Sequence, residues 1–108
     1  MDIIYFDGYK DHYSTTINPS LLWEYDLTNF DYMQMRNIVV QRVIESGWLS
    51  DWYAALNLYG IDGMREAIKL LPFLNNKDMH FVSMVFRIPL LEMKCYEKTR
   101  LQKAHWNS

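Results

Sequence analysis

From Leu21 onward the apolar residues recur every three or four positions, the period of helices that bury one face. In "DYMQMRNIVVQRVIESG", residues 31–47, Tyr32, Met35, Val39, Val40 and Val43 cover one side, while Gln34, Asn37, Gln41 and Glu45 mark a solvent face. Asp31 is the expected cap and Gly47 the expected stop. "LSDWYAALNLYG", residues 49–60, places Trp52, Ala55, Leu56 and Tyr59 at i, i+3, i+4 and i+7. Ser50 is its expected cap and Gly60 its left-handed exit. "IDGMREAIKLLP", residues 61–72, repeats the pattern with Met64, Ala67, Ile68 and Leu71 inward, Asp62 as cap and Pro72 just past the end. So short a turn between these two helices makes them neighbours in space.

Two further segments complete the periodic region. "KDMHFVSMVFRI", residues 77–88, carries a stripe of Met79, Val82, Val85 and Phe86, with Asn76 available as cap. Pro89 suits the first turn of a last helix, "PLLEMKCYEKTRLQKAHW", where a missing N–H costs nothing. A turn "LLWEY", with Ser20 as its cap, opens the whole series. The pattern predicts an all-α fold: a compact bundle of five or six short helices, its last two candidates for a helix-turn-helix-like unit. An irregular acidic-aromatic arm (1–18) precedes the helical domain (19–98), and a basic tail (99–108) follows it.

The arm mixes aromatic and acidic residues without helical period and closes on the turn-prone Asn18-Pro19-Ser20. Its "IIYF" has the composition of a short strand, but a lone strand needs a partner, and no second convincing strand occurs in the chain.

Composition sharpens this outline. A chain of 108 residues, half of them hydrophobic, holds one domain and one core. The formal net charge of −2 supplies no large positive field for a polyanion. Charge is unevenly spread, however: residues 1–31 sum to −5, leaving +3 for the remainder. A lone cysteine, Cys95, cannot close an internal disulfide, and no stretch has the build of a signal peptide, so a reducing cytoplasm is the expected compartment. The apolar runs fall far short of the ~20 residues of a membrane-spanning helix.

Candidate chemistry is sparse. His12, His80 and His105 are too scattered for a local metal motif, and Cys95 lacks a C-x-x-C partner. Asp7, Asp11 and His12 would share a face only in a helical arm, against which Gly8 argues. The glycines at 8, 47, 60 and 63 stand singly, as turn or cap residues, and form no phosphate-binding loop. The expectation is a non-enzymatic protein with no metal and no cofactor.

Four Trp and eight Tyr exceed what so small a core encloses, so some are expected at the surface, where such residues mark partner interfaces. Trp52 and Tyr59 read as core. Candidate partner-binding residues are Tyr5, Phe6, Asp7, Tyr9, Asp11, Trp48 and Tyr53. The alternative is a small helix-turn-helix-like DNA-binding regulator, with "PLLEMKCYEKTR" as the reading helix and Lys94, Lys98 and Arg100 toward DNA. Against it stand Arg87, where such turns often carry glycine, and Glu92, which would face phosphates.

Three stretches carry a resemblance: "PSLLWEYDL" at 19–27, "VVQRVIESGWLSDWYAALNLYGIDGMREAI" at 39–68 and "FVSMVFRIPLLEMKCY" at 81–96. Together they resemble a family of small bacterial proteins of unknown function, often encoded beside nucleotidyltransferase-like toxins of the abortive-infection type. The resemblance implies an antitoxin-like partner of such a toxin; self-association is the other expectation for a protein partner, DNA is a further possible partner, and the short apolar runs imply no membrane. Its shared positions, Trp23, Glu45, Gly47, Trp52, Tyr59, Gly60, Ile88 and Pro89, read mostly as cap, turn and core residues, and it brings no catalytic or binding residue to this chain. A mechanism in keeping with it has Asp2, Asp7 and Asp11, beside Tyr5, Phe6 and Tyr9, occupying a basic nucleotide site on the partner.

Overall fold

The computed structural model describes residues 6, 8–12 and 16–98, and within them the regular structure is entirely helical. Four α-helices are present among the described residues: α1 (Arg36–Ser46), α2 (Leu49–Leu70), α3 (Asn76–Phe86) and α4 (94–98). Short 3-10 turns occupy Tyr9–Asp11, Pro19–Leu22, Leu27–Asn29 and Leu90–Glu92. The expected five or six helices are therefore not matched. The opening "LLWEY" begins in the Pro19–Leu22 3-10 turn rather than in an α-helix, and the two helices expected on either side of Gly60 follow one another as the two halves of α2, broken at that glycine.

That break has a local cause. Gly60 sits at φ 73°, ψ 170°, a region essentially restricted to glycine, and the chain resumes its helix directly afterwards. The break redirects the chain, so the two halves of α2 bury two successive stripes. Trp52, Ala54, Ala55 and Leu56 are enclosed before the break, and Met64, Ala67 and Ile68 after it. α2 is the hub of the fold: α1, α3 and the Tyr9–Asp11 turn all pack against it. The core they share includes Val39, Val40 and Val43 of α1, Met79, Val82, Val85 and Phe86 of α3, and Met93 and Cys95 beyond it. Each fully buried side chain of the size of Leu56, Ile68 or Phe86 contributes roughly 1.5–3 kcal/mol through its apolar area.

The caps differ from expectation in instructive ways. Asp31 does cap, but one turn early: its Oδ1 accepts from the Met33 and Gln34 N–H groups, and α1 proper begins at Arg36. Gly47 ends α1 with φ −73° rather than a left-handed turn. Its need for glycine is spatial, since a Cβ there would lie 2.6 Å from the Val43 carbonyl oxygen. Asn75, not Asn76, caps α3, its Oδ1 accepting from Asp78 N–H at 2.8 Å. In the opening turn Asn18 Oδ1 accepts from Ser20 N–H, so Ser20 is capped rather than capping.

The segment Arg87–Met93 departs most from the sequence reading. Arg87 terminates α3 in the left-handed conformation, φ 55°, ψ 49°, and Ile88 N–H donates back to Ser83 O at 3.0 Å, a Schellman-type closure. Ser83 Oγ adds a bond to Ile88 O at 2.7 Å. Pro89 then leads the Leu90–Glu92 turn instead of standing in the first turn of α4. This connection is longer than the ~3–4 residues of a helix-turn-helix turn.

Candidate functional site

The described part of the arm is packed onto the helical domain. Tyr9 and Ile17 are buried in the common core. Asn57 on α2 secures this docking: its Nδ2 donates to Tyr9 O at 3.0 Å and Tyr53 O at 2.9 Å, with His12 O at 3.5 Å. Phe6, at φ 67°, stacks on Trp52 with ring centroids 4.8 Å apart and planes 6° apart, and meets Tyr53 and Phe81 edge-on. An aromatic residue in the left-handed region is strained, and the offset-stacked cluster supplies contacts that hold it there.

A second node lies where α1 passes into α2. Asp51 is only 2% exposed, yet both carboxylate oxygens are used. Oδ2 accepts from Trp48 N–H and Oδ1 from Asn18 N–H, each at 2.9 Å. Asp51, in the first turn of α2, thus satisfies the N–H of Trp48, the residue just before the helix, and it ties the end of the arm to the same point, while Ser50, the expected cap, lies inside the helix. With its backbone fixed in this way, Trp48 directs its side chain outward and is 76% exposed. Leu49 beside it is 55% exposed.

Next to this pair lies an open, mostly apolar depression of about 330 Å³ lined by His12, Leu49, Ser50 and Tyr53. His12 stacks on Tyr53 at 4.7 Å and 6°, so the imidazole forms part of an aromatic wall. Of the sequence-predicted residues, the structure brings Trp48 and Tyr53 to this corner. Phe6 and Tyr9 turn inward behind it, and Asp11 is exposed next to His12 in the chain. Tyr5 and Asp7 lie outside the described residues.

Sequence reasoning missed the roles of three residues that build the site. Asp51 and Asn57 carry the decisive polar bonds, yet on the helical pattern they read as ordinary solvent-face positions. His12, by residue type a candidate metal ligand, stacks on Tyr53. Elsewhere, Trp23, one of the positions that carry the family resemblance, is 78% exposed. Leu22 before it is buried, and Glu24 after it is held by Arg42, whose Nη1 also donates to Leu21 O at 3.1 Å. The hydrogen bond from Arg42 keeps the Glu24 carboxyl below its ordinary pKa.

The candidate DNA-reading residues occupy the opposite end of α2. Lys94 and Lys98 are exposed on α4, lining a groove with Pro72 and Glu97, while Arg100 lies outside the described residues. Cys95 is buried, and burial pushes its thiol pKa up, which opposes the thiolate form needed of a nucleophile or ligand. His80 is exposed, its Nδ1 2.8 Å from Asn76 O. Among the described residues no group of His, Cys, Asp and Glu is placed to hold a metal ion, and no helix is long and apolar enough to cross a membrane.

Comparison with known proteins adds one match. No curated protein and no solved structure matches the chain. Residues 17–68, from the end of the arm through α1 and most of α2, match a family of unknown function, DUF6922.

Proposed function

We propose that this chain is a non-enzymatic protein-interaction module of the bacterial cytoplasm, acting as an antitoxin-like partner of a nucleotidyltransferase-type toxin. The observation that carries the interaction role is the outward-facing pair Trp48 and Leu49 at a rigidly capped helix start, beside the His12–Tyr53 wall. Aromatic anchors held by well-ordered backbone lose little entropy on binding and dominate interface energies. The toxin assignment rests on the family resemblance. Asp11, exposed beside His12 in the chain, suits a basic partner surface, whereas Phe6 and Tyr9 serve by holding the corner from behind rather than by entering the partner's site.

Co-expression with the protein encoded beside it, followed by co-purification, tests the proposal. Association is expected with the unaltered chain, and Trp48→Ser combined with Leu49→Ser is expected to abolish it. Failure of the unaltered chain to associate, or unchanged binding by the double variant, overturns the reading. Surface substitutions are the cleaner test, because deleting residues 1–18 would also remove Tyr9 and Ile17 from the core.

A further inference from the structure

The depression beside Trp48 is built from two parts of the chain. Leu49, Ser50 and Tyr53 come from α2, and His12 comes from the strap, residues 8–12 of the arm, whose Tyr9–Asp11 turn packs on that helix. His12 takes its place in the wall by stacking on Tyr53, so the depression has this form only while the strap is seated. A three-residue 3-10 turn has too little internal bonding to hold a conformation by itself, and Phe6, which leads into it, carries a φ of 67°. Seating therefore depends on what α2 presents.

Phe6 and Tyr9 give the strap an apolar grip, but apolar contact is non-directional. Asn57 supplies the direction. Its Nδ2 donates to Tyr9 O of the strap at 3.0 Å and to Tyr53 O of its own helix at 2.9 Å, with His12 O at 3.5 Å. One side-chain amide thus reaches the backbones of both residues whose rings form the wall, His12 and Tyr53. We propose that Asn57 is the positioning residue of the Trp48 corner, a latch that makes strap seating and partner binding at the corner one coupled equilibrium. The coupling rests on the interaction reading above; the latch does not. By linkage, whatever loosens the strap weakens binding at the corner, and a bound partner holds the strap down to the same extent.

The test follows His12 itself. In the unaltered full chain, NMR signals of the His12 ring protons are expected to be shifted upfield by the stacked Tyr53 ring. Asn57→Ala removes the donors at a position where alanine favours the helix. It is expected to return those signals to unstacked positions and to speed amide exchange at Asp11 and His12, whose N–H groups close the strap's turn, about tenfold. Binding of the protein encoded beside this chain is expected to weaken about tenfold, with helical circular dichroism unchanged. Asn57→Asp, which sets a carboxylate against the same carbonyl oxygens, is expected to act in the same direction. His12→Ala is expected to weaken binding while Asp11 exchanges as in the parent, because the wall is lost and the latch kept. A merely structural Asn57 would lower stability and leave the His12 ring signals of the folded protein unmoved, and that result overturns the proposal. So does release of the strap in Asn57→Ala with partner binding unchanged. If the unaltered chain binds no neighbour, the interaction reading falls and the coupling with it, while the His12 signals decide the latch on their own.

Discussion

Asp51 accepts the backbone N–H of Asn18 at 2.9 Å across 33 residues of sequence, while its other oxygen caps α2 at Trp48. One buried carboxylate thus couples the arm to the helix start that carries the exposed tryptophan. Asp51→Ala strands both N–H groups and is expected to cost about 2–4 kcal/mol, two unmade bonds at the usual penalty. Asp51→Asn keeps one acceptor oxygen and is expected to recover about half of that loss. Urea unfolding of the three proteins measures the difference, and a near-neutral Asp51→Ala would show that the carboxylate does not link these segments.

Trp48 and Trp52 lie one helical turn apart and are expected to behave oppositely. Trp48, 76% exposed, is expected to tolerate alanine within about 0.5 kcal/mol of stability. Trp52, 7% exposed and stacked against Phe6 and Phe86, is expected to lose about 3–5 kcal/mol. Thermal denaturation compares them. A large loss from Trp48→Ala would mean that its ring supports the fold, contrary to a docking role.

Gly60 and Arg87 share positive φ angles but differ in how well they fit them. At Gly60, φ 73° and ψ 170° leave open space for a Cβ, so the cost of Gly60→Ala is purely conformational, about 1–3 kcal/mol. Arg87 already bears such strain at φ 55°, ψ 49°, and Arg87→Gly is expected to stabilise the protein by about 0.5–1 kcal/mol. The gain survives loss of the side chain because the hydrogen bond from Arg65 Nη2 reaches Arg87 through its backbone carbonyl, at 3.4 Å. Equilibrium denaturation should shift the two midpoints in opposite directions.

Tyr59 gives the fold an alkaline limit. Its hydroxyl donates to Tyr32 O at 2.7 Å, fixing α2 to the turn before α1, and burial, followed by the nearby Tyr32, pushes its pKa from 10.0 up to about 12. A folded pKa above the unfolded value means the native state holds the proton more tightly. This stabilisation is complete below pH 10.0 and is lost as the pH rises to about 12. Tyr59→Phe is expected to lower stability near neutral pH by about 1 kcal/mol and to flatten the fall in that alkaline window. Denaturation at stepped alkaline pH, set against the parent, reports both effects. An unchanged slope would exclude Tyr59 as its source.

Much of the architecture was legible in the chain before any coordinates. The stripes Met64, Ala67, Ile68, Leu71 and Met79, Val82, Val85, Phe86 are all buried as their spacing implies, because helical period and apolar burial are local properties written residue by residue. The positive φ at Gly60 was equally readable, since only glycine takes that backbone without penalty. Trp48 reads as a surface aromatic and is 76% exposed, whereas Tyr53, expected beside it at the surface, is only partly exposed and Tyr9 is buried.

What local pattern could not decide is where distant segments meet. Whether Gly60 ends a helix or bends one depends on what the following turn packs against. Whether Phe6 and Tyr9 face a partner or the core depends on Trp52 and Asn57, far along the chain. The carboxylate of Asp51 looks solvent-bound on a helical wheel, and only the arrival of Asn18 makes it a buried hub. The same holds for Leu70 and Leu91, which become one surface because the chain returns to the end of α2 after α3. Period is fixed by neighbours in sequence. The docked arm and the aromatic corner arise from contacts between residues far apart in it, and only the tertiary structure places those.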